Sequence, residues 1–276
     1  GREHLWLDER MRHALSFTCE GAVLAATLDS AAGTTGLLIV SGGNEIRCGA
    51  HRGMAMLAAR IAAAGYPVLR FDRLGIGDSE GENGGFESSR ADIVAALAAF
   101  RRACPEMKQI VAFGNCDAAS ALALHQPLDV DALVLANPWT IEEQGNDETP
   151  ALPPASAIRA RYWQRLKDPA SLGRLLRGEI DLGKLGRGMA KLGLGGAPAS
   201  RESLGRRVVA AIAATPKPVT ILLASGDRTA QTFAEHWNGT VAAVSVHELN
   251  SASHSFAGDD AGWLQAALLT ALGTAR

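Results

Sequence analysis

Short runs of consecutive apolar residues alternate along the chain with longer segments whose apolar positions recur every three or four residues. Leu37-Leu38-Ile39-Val40, Pro67-Val68-Leu69-Arg70-Phe71, Ile110-Val111-Ala112-Phe113, Leu133-Val134-Leu135-Ala136 and Val219-Thr220-Ile221-Leu222-Leu223-Ala224 read as strands, most of them covered on both faces. Between them, residues 52–64 carry Met54, Leu57, Ala58 and Ile61 on one helical face and close at Gly65. A second helix, running to about Phe100, has Ser88 and Ser89 as candidate N-caps and Ile93, Val94 and Leu97 as its buried side. Helices are also expected over about 229–237 and 260–271, and a strand over 241–249. Upstream, residues 12–29 predict two short strands joined by Glu20-Gly21; a two-residue link implies an antiparallel pair.

Strands alternating with helices over short links predict an α/β fold: a mostly parallel central sheet flanked by helices and opened by an antiparallel hairpin. The rhythm breaks from about Thr140 to Pro218, where Pro and Gly are frequent and short helical pieces near 157–167 and 181–194 follow one another. So long a stretch exceeds an ordinary loop. The chain therefore divides into a core of residues 1–139 and 219–276 and a helical cap, or lid, inserted over 140–218.

At 276 residues the chain is long enough for one large domain carrying such an insertion. A formal charge of -2 gives no bias toward nucleic acid or membrane, no apolar run has the length of a membrane span, and Gly1-Arg2-Glu3-His4 lacks the core of a signal peptide. The expected location is cytoplasmic. Cys19, Cys48, Cys104 and Cys116 show neither a disulfide framework nor the spacing of a metal site, so neither metal nor cofactor is expected.

The candidate chemistry sits in Gly114-Asn115-Cys116-Asp117-Ala118, directly after an apolar strand and before a small-residue helix start. A sharp strand-to-helix turn of this kind, a nucleophile elbow, lifts one side chain to the top of a sheet and aims the next backbone N–H at any oxyanion formed there. Taken alone, Cys116 suits inert packing at least as well. Two later residues complete a constellation. Asp227 follows Ser225-Gly226 after the next-but-one strand, and His254 lies in the loop between the last strand and the last helix. Nucleophile, acid and histidine thus occur in chain order at the C-terminal ends of strands, where an open parallel sheet places its site.

These residues resemble those of the α/β-hydrolase superfamily, and the resemblance spans the whole chain; the turn over Asp72–Ser79 also resembles that superfamily's. The segment Ser41-Gly42-Gly43-Asn44-Glu45, the elbow from Gly114 and an insertion starting near Asn137-Pro138-Trp139 are similar to the hydrolases associated with the exosortase A system of bacteria, which are linked to exopolysaccharide. The resemblance implies hydrolysis of an ester or thioester through a covalent acyl-enzyme. A cysteine nucleophile is a minority choice there, resembling dienelactone hydrolases more than lipases. In these roles Cys116 attacks as thiolate, His254 relays protons, and Asp227 holds the histidine's tautomer. The backbone N–H of Asp117, with one from the Gly43–Asn44 turn, forms the oxyanion hole.

Each role has a plainer counterpart. Asp227 also reads as a cap for the helix near Thr229, His254 as a surface histidine, Gly42 and Gly43 as a strand end, and Asp72 with Arg73 as structural. Asp117 places a carboxylate beside the thiol, where it opposes ionisation unless it points away or caps the helix. Other functional readings are an acyltransferase using the same acyl-enzyme and a non-catalytic binding module on the same fold; a dehalogenase is disfavoured because its carboxylate belongs at the elbow itself. Residues 159–207 hold twelve basic residues against four acidic ones. That surface is either a solvated helical face or a partner for an anionic substrate such as an acyl-CoA or acyl carrier protein. The expected partner is a small-molecule acyl ester or thioester, and the sequence leaves room for a homodimer.

Overall fold

In the computed structural model, residues 12–142, 203–239 and 241–275 are described. Eight strands form one sheet: β1 (Arg12–Cys19), β2 (Ala22–Asp29), β3 (Thr35–Val40), β4 (Val68–Phe71), β5 (Gln109–Asn115), β6 (Ala132–Ala136), β7 (Val219–Ala224) and β8 (Val244–Leu249). Their order across the sheet is β1-β2-β4-β3-β5-β6-β7-β8. The hairpin β1–β2 pairs antiparallel from Arg12↔Asp29 to Cys19↔Ala22, with Glu20 and Gly21 both at positive φ in the turn, and β2 pairs antiparallel with β4. From β4 to β8 every pairing is parallel.

Alternation along the central strands builds two cores. Leu38, Ala112, Leu133 and Ile221 face one side, where α2 (Arg90–Ala103), α3 (Asp117–Leu124), α4 (Leu204–Ala214) and α5 (Arg228–His236) supply Phe100, Leu122, Val208 and Phe233. Leu37, Val111, Phe113 and Leu222 face the other, covered by α1 (Gly53–Ala63) and α6 (Ala261–Thr274) through Leu57, Ile61, Leu264 and Leu268. With period-two side chains, one strand of continuous apolar residues feeds both layers at once.

Some details differ from the sequence expectation. Val94 is 42% exposed; Ile93, Ala96, Leu97 and Phe100 make the buried stripe of α2 instead. Ser89 stands at the N-cap of α2 without a side-chain cap bond, its hydroxyl donating to the Phe86 carbonyl at 2.7 Å. Within the stretch expected as insertion, α4 packs on the core through Leu204, Val208 and Ile212, a stripe at four-residue spacing. The chain accordingly separates into one unit of residues 1–142 and 204–276 and a second, Glu143–Ser203. The helices expected near 157–167 and 181–194 lie outside the described residues. Among those described, no helix is long and apolar enough to cross a membrane.

Candidate active site

Strand β5 ends at Asn115, and Cys116 takes φ 61°, ψ −127° before α3 begins at Asp117. This sparsely populated conformation is fixed by its surroundings. The Cys116 N–H donates to the Ala136 carbonyl at 3.0 Å, and the Cys116 carbonyl accepts from the N–H groups of Ala119 and Trp139, both at 3.1 Å. Gly114 is required on steric grounds, because a Cβ there would lie 2.7–2.8 Å from backbone atoms of Ala118 and Ala119.

Asp227 and His254 converge on that thiol from the ends of β7 and β8. His254 Nδ1 lies 3.1 Å from Asp227 Oδ2, and His254 and Cys116 face the same cavity. The same Asp227 oxygen accepts the Ala230 N–H at 3.1 Å, so capping α5 and orienting the histidine are one arrangement. Gly226 lets the two loops approach: its N–H donates to the Ser251 carbonyl at 2.7 Å, and a Cβ there would lie 3.0 Å from that oxygen. Beyond His254, Phe256 is buried and stacked on Trp263 at a centroid distance of 5.4 Å, which anchors the loop in the core.

Asn137, read from sequence as the start of the insertion after a buried strand, proves central to this geometry. Fully buried at φ 40°, it donates from Nδ2 to the His254 carbonyl at 2.8 Å and accepts the Ala224 N–H on Oδ1 at 2.9 Å. One amide thus ties the end of β6 to the end of β7 and to the histidine loop. Its sequence signal was an Asn directly after a buried strand and before a proline.

The electrostatics follow from these contacts. The hydrogen bond to Asp227 is the largest influence on His254; with the neighbouring Cys116 side chain and the charges of both partners it outweighs burial and pushes the imidazole up to about 10 from an ordinary 6.5. Burial pushes the Asp227 carboxyl up, but the hydrogen bond from His254, the Ala230 and Thr229 N–H groups and the His254 charge hold it below the usual carboxylate value.

On the opposite side of the thiol lies the loop after β3. The Asp117 N–H is the first of α3, where amides lack an intrahelical partner. Of the two N–H groups of the Gly43–Asn44 turn, one of which the sequence places in the oxyanion hole, that of Gly43 donates to Asp117 Oδ1 at 2.5 Å. Asn44 is exposed, its Oδ1 accepting from Asn83 Nδ2 at 3.0 Å. Gly42 is packed against the elbow: a Cβ there would lie 2.6 Å from the Asn115 carbonyl oxygen. Asp72 is buried and bound by the Arg47 guanidinium and by the Arg47 and Asp78 N–H groups, the structural role its turn suggested.

A cavity of about 400 Å³ opens at this site, with Cys116 and His254 in its wall. The rest of the wall is largely apolar, including Met54, Leu57, Phe113, Phe256 and Leu264 from the layer that α1 and α6 share. A thiol, an imidazole and an open backbone amide beside an apolar cleft form a set suited to acyl transfer. Cys48, on the loop after β3, hydrogen-bonds the Gly49 carbonyl at 3.6 Å and does not line the cavity.

Comparison with known proteins agrees with this architecture. A family model described as "Alpha/beta hydrolase family" matches residues 37–267. Among solved structures, an esterase of Pyrococcus furiosus superposes with a TM-score of 0.63 at 16% identity, covering 96% of this chain and 90% of that one. The thioesterase domain from the curacin biosynthetic pathway gives 0.57 at 17%, covering 94% and 99%. Est1E from Butyrivibrio proteoclasticus, solved with ferulic acid bound, gives 0.58 at 16%, covering 95% and 99%. No curated protein sequence matches the chain.

Proposed function

The chain belongs to the alpha/beta hydrolase family, and on that premise we propose that it hydrolyses an ester or thioester through a covalent acyl-enzyme on Cys116. The observation that carries this reading is that Cys116 and His254 share the wall of an apolar cavity, with the His254 ring held 3.1 Å from the Asp227 carboxylate behind it.

The steps follow from the groups present. The Cys116 thiolate attacks the carbonyl carbon, and the carbonyl π electrons move to oxygen. The Asp117 N–H stabilises that oxyanion, together with a donor from the Gly43–Asn44 turn. As the tetrahedral intermediate collapses, His254 gives its proton to the departing alkoxide or thiolate, leaving an acyl-thioester on Cys116. Water then attacks, losing its proton to His254, and the second collapse releases the carboxylic acid and restores the thiolate–imidazolium pair. Asp227 stays ionised throughout and favours the imidazolium. The apolar cavity receives the acyl group. Because a thiolate is itself a good leaving group, thioesters and activated esters suit this site better than unactivated amides.

The finer reading rests on sequence: the Ser41–Glu45 segment and the GNCDAAS elbow resemble those of the exosortase A-associated hydrolases, and the basic stretch 159–207 fits an anionic acyl donor such as an acyl-CoA or acyl carrier protein. Intact-mass spectrometry after brief exposure to p-nitrophenyl acetate, and separately to an acyl-CoA, tests the proposal. One acyl adduct on the wild type and none on Cys116→Ala is the expected result. Absence of adduct and of turnover with both donors would overturn it in favour of a binding module.

A further inference from the structure

Arg73 and Asp117 meet across the turn that faces the thiol. Arg73 follows β4 and Asp117 opens α3 after β5, while β3 lies between those strands in the sheet. Gly43, on the loop after β3, is held by both. Its N–H donates to Asp117 Oδ1 at 2.5 Å, its carbonyl accepts from Arg73 Nη2 at 2.5 Å, and the Arg73 guanidinium stands 3.6 Å from Asp117 Oδ2. Three loops at the C-terminal edge of the sheet are thereby closed into one charged clasp.

The clasp does more than tie loops together. A peptide unit is planar and trans, so fixing its carbonyl fixes the direction of the N–H on its other side. Arg73 grips the carbonyl of the Gly43–Asn44 peptide and so sets where the Asn44 N–H points. Asp117 grips the N–H of the Gly42–Gly43 peptide, whose carbonyl accepts the Glu45 N–H at 3.0 Å to close the turn. Gly43 sits at φ +54°, a conformation that only an unsubstituted residue adopts without strain. Both peptide planes are therefore oriented by charged side chains, one of which belongs to the residue next to the nucleophile. Arg73 is nearly fully buried and its Nη1 has no acceptor among the described residues. Loop stability alone would be served as well by an apolar side chain, without an unpaired buried donor.

We propose that Arg73 and the Asp117 carboxylate are positioning residues that set the oxyanion side of the site by orienting the Gly43–Asn44 turn. This rests on the acyl-enzyme reading above. The Asp117 side chain also stands beside the thiol, so its hold on the turn has to be told apart from any direct effect on the reactivity of Cys116.

Two reactions of Cys116 separate the effects. Alkylation by iodoacetamide forms a C–S bond and expels iodide with no oxyanion; acylation by p-nitrophenyl acetate passes through one. For Asp117→Ala, the expected result is acylation slower by about tenfold or more, on the scale of a disturbed oxyanion donor, with alkylation unchanged or faster. Asp117→Asn, which keeps an acceptor for the Gly43 N–H, recovers part of the acylation rate. Arg73→Lys, which keeps the charge and loses the fork, slows acylation and leaves alkylation near wild type; it carries the test should Asp117→Ala lose its fold, as judged by circular dichroism. Acylation that stays level with or rises alongside alkylation in a folded Asp117→Ala or Arg73→Lys overturns the inference while leaving the acyl-enzyme reading standing. A wild type that is alkylated at Cys116 but acylated by neither the ester nor an acyl-CoA overturns both.

Discussion

Asp227 Oδ2 accepts from two sides at once, the His254 ring at 3.1 Å and the Ala230 N–H at 3.1 Å. Stability and chemistry are thus joined in one oxygen, and two substitutions separate them. Asparagine is as good an N-cap as aspartate, so Asp227→Asn keeps the cap and loses the charge; alanine loses both. Asp227→Ala is expected to lower stability by about 1 kcal/mol relative to Asp227→Asn, read by denaturant midpoint. Both variants are expected to lose tenfold or more in kcat/KM, roughly the lower bound for impaired acid–base catalysis.

The pH dependence follows from the raised His254. A group held at about 10 in the folded protein against an ordinary 6.5 binds its proton more tightly when folded. Its stabilising contribution is complete below pH 6.5 and disappears as pH rises through about 10. Asp227, shifted downward, behaves in the opposite sense: its contribution is present above the ordinary carboxylate value and is lost as pH falls through the depressed one. Imidazolium-dependent acylation is therefore expected to hold through neutral pH and fall near pH 10, and Asp227→Asn moves that alkaline limb to lower pH. A kcat/KM profile, or the titration of the His254 ring followed by NMR, checks both; a ring titrating near 6.5 contradicts the coupling.

Asn137→Ala leaves the Ala224 N–H and the His254 carbonyl without their partner. A cost of about 1–3 kcal/mol per unsatisfied buried group is expected. The histidine loop also loses its tie to β6 and β7, so kcat is expected to fall more than KM rises. Steady-state kinetics beside thermal denaturation measures the two effects.

Gly114→Ala puts a methyl against the backbone of α3, which has no flexible end to yield. A loss of about 1–3 kcal/mol from overpacking is expected, with slower acylation because the elbow shifts. Gly43→Ala meets no neighbouring atom within 4 Å but stands at φ +54°, so its defect is conformational and falls on the turn instead. Melting temperatures and acylation rates of the two variants distinguish steric from backbone strain.

Much of the core was legible because each central strand is a continuous apolar run bounded by turn chemistry; the hairpin at Glu20-Gly21 and the order β3, α1, β4 follow from that pattern. The convergence of Cys116, Asp227 and His254 was legible because all three follow strands, and parallel strands deliver their ends to one edge. The clasp was not. Arg73 reaches Asp117 across an intervening strand, and nothing in the spacing of residues 73 and 117 records that β3 inserts between β4 and β5. Asn137 was missed for a similar reason, since its partners lie 87 and 117 positions away. Helix α4 carried a readable stripe in Leu204, Val208 and Ile212, hidden by the Gly- and Pro-rich residues around it.

The Leu204 N–H donates to Glu142 Oε1 at 3.1 Å, so the two points where the chain leaves and re-enters the core are hydrogen-bonded neighbours. An exit and an entry that close together form a splice site: whatever is threaded between them need only begin and end at one place on the core. A short glycine–serine bridge in place of residues 143–203 is therefore expected to span this gap without stretching the sheet that carries the thiol, a result read by the melting temperature of the shortened chain.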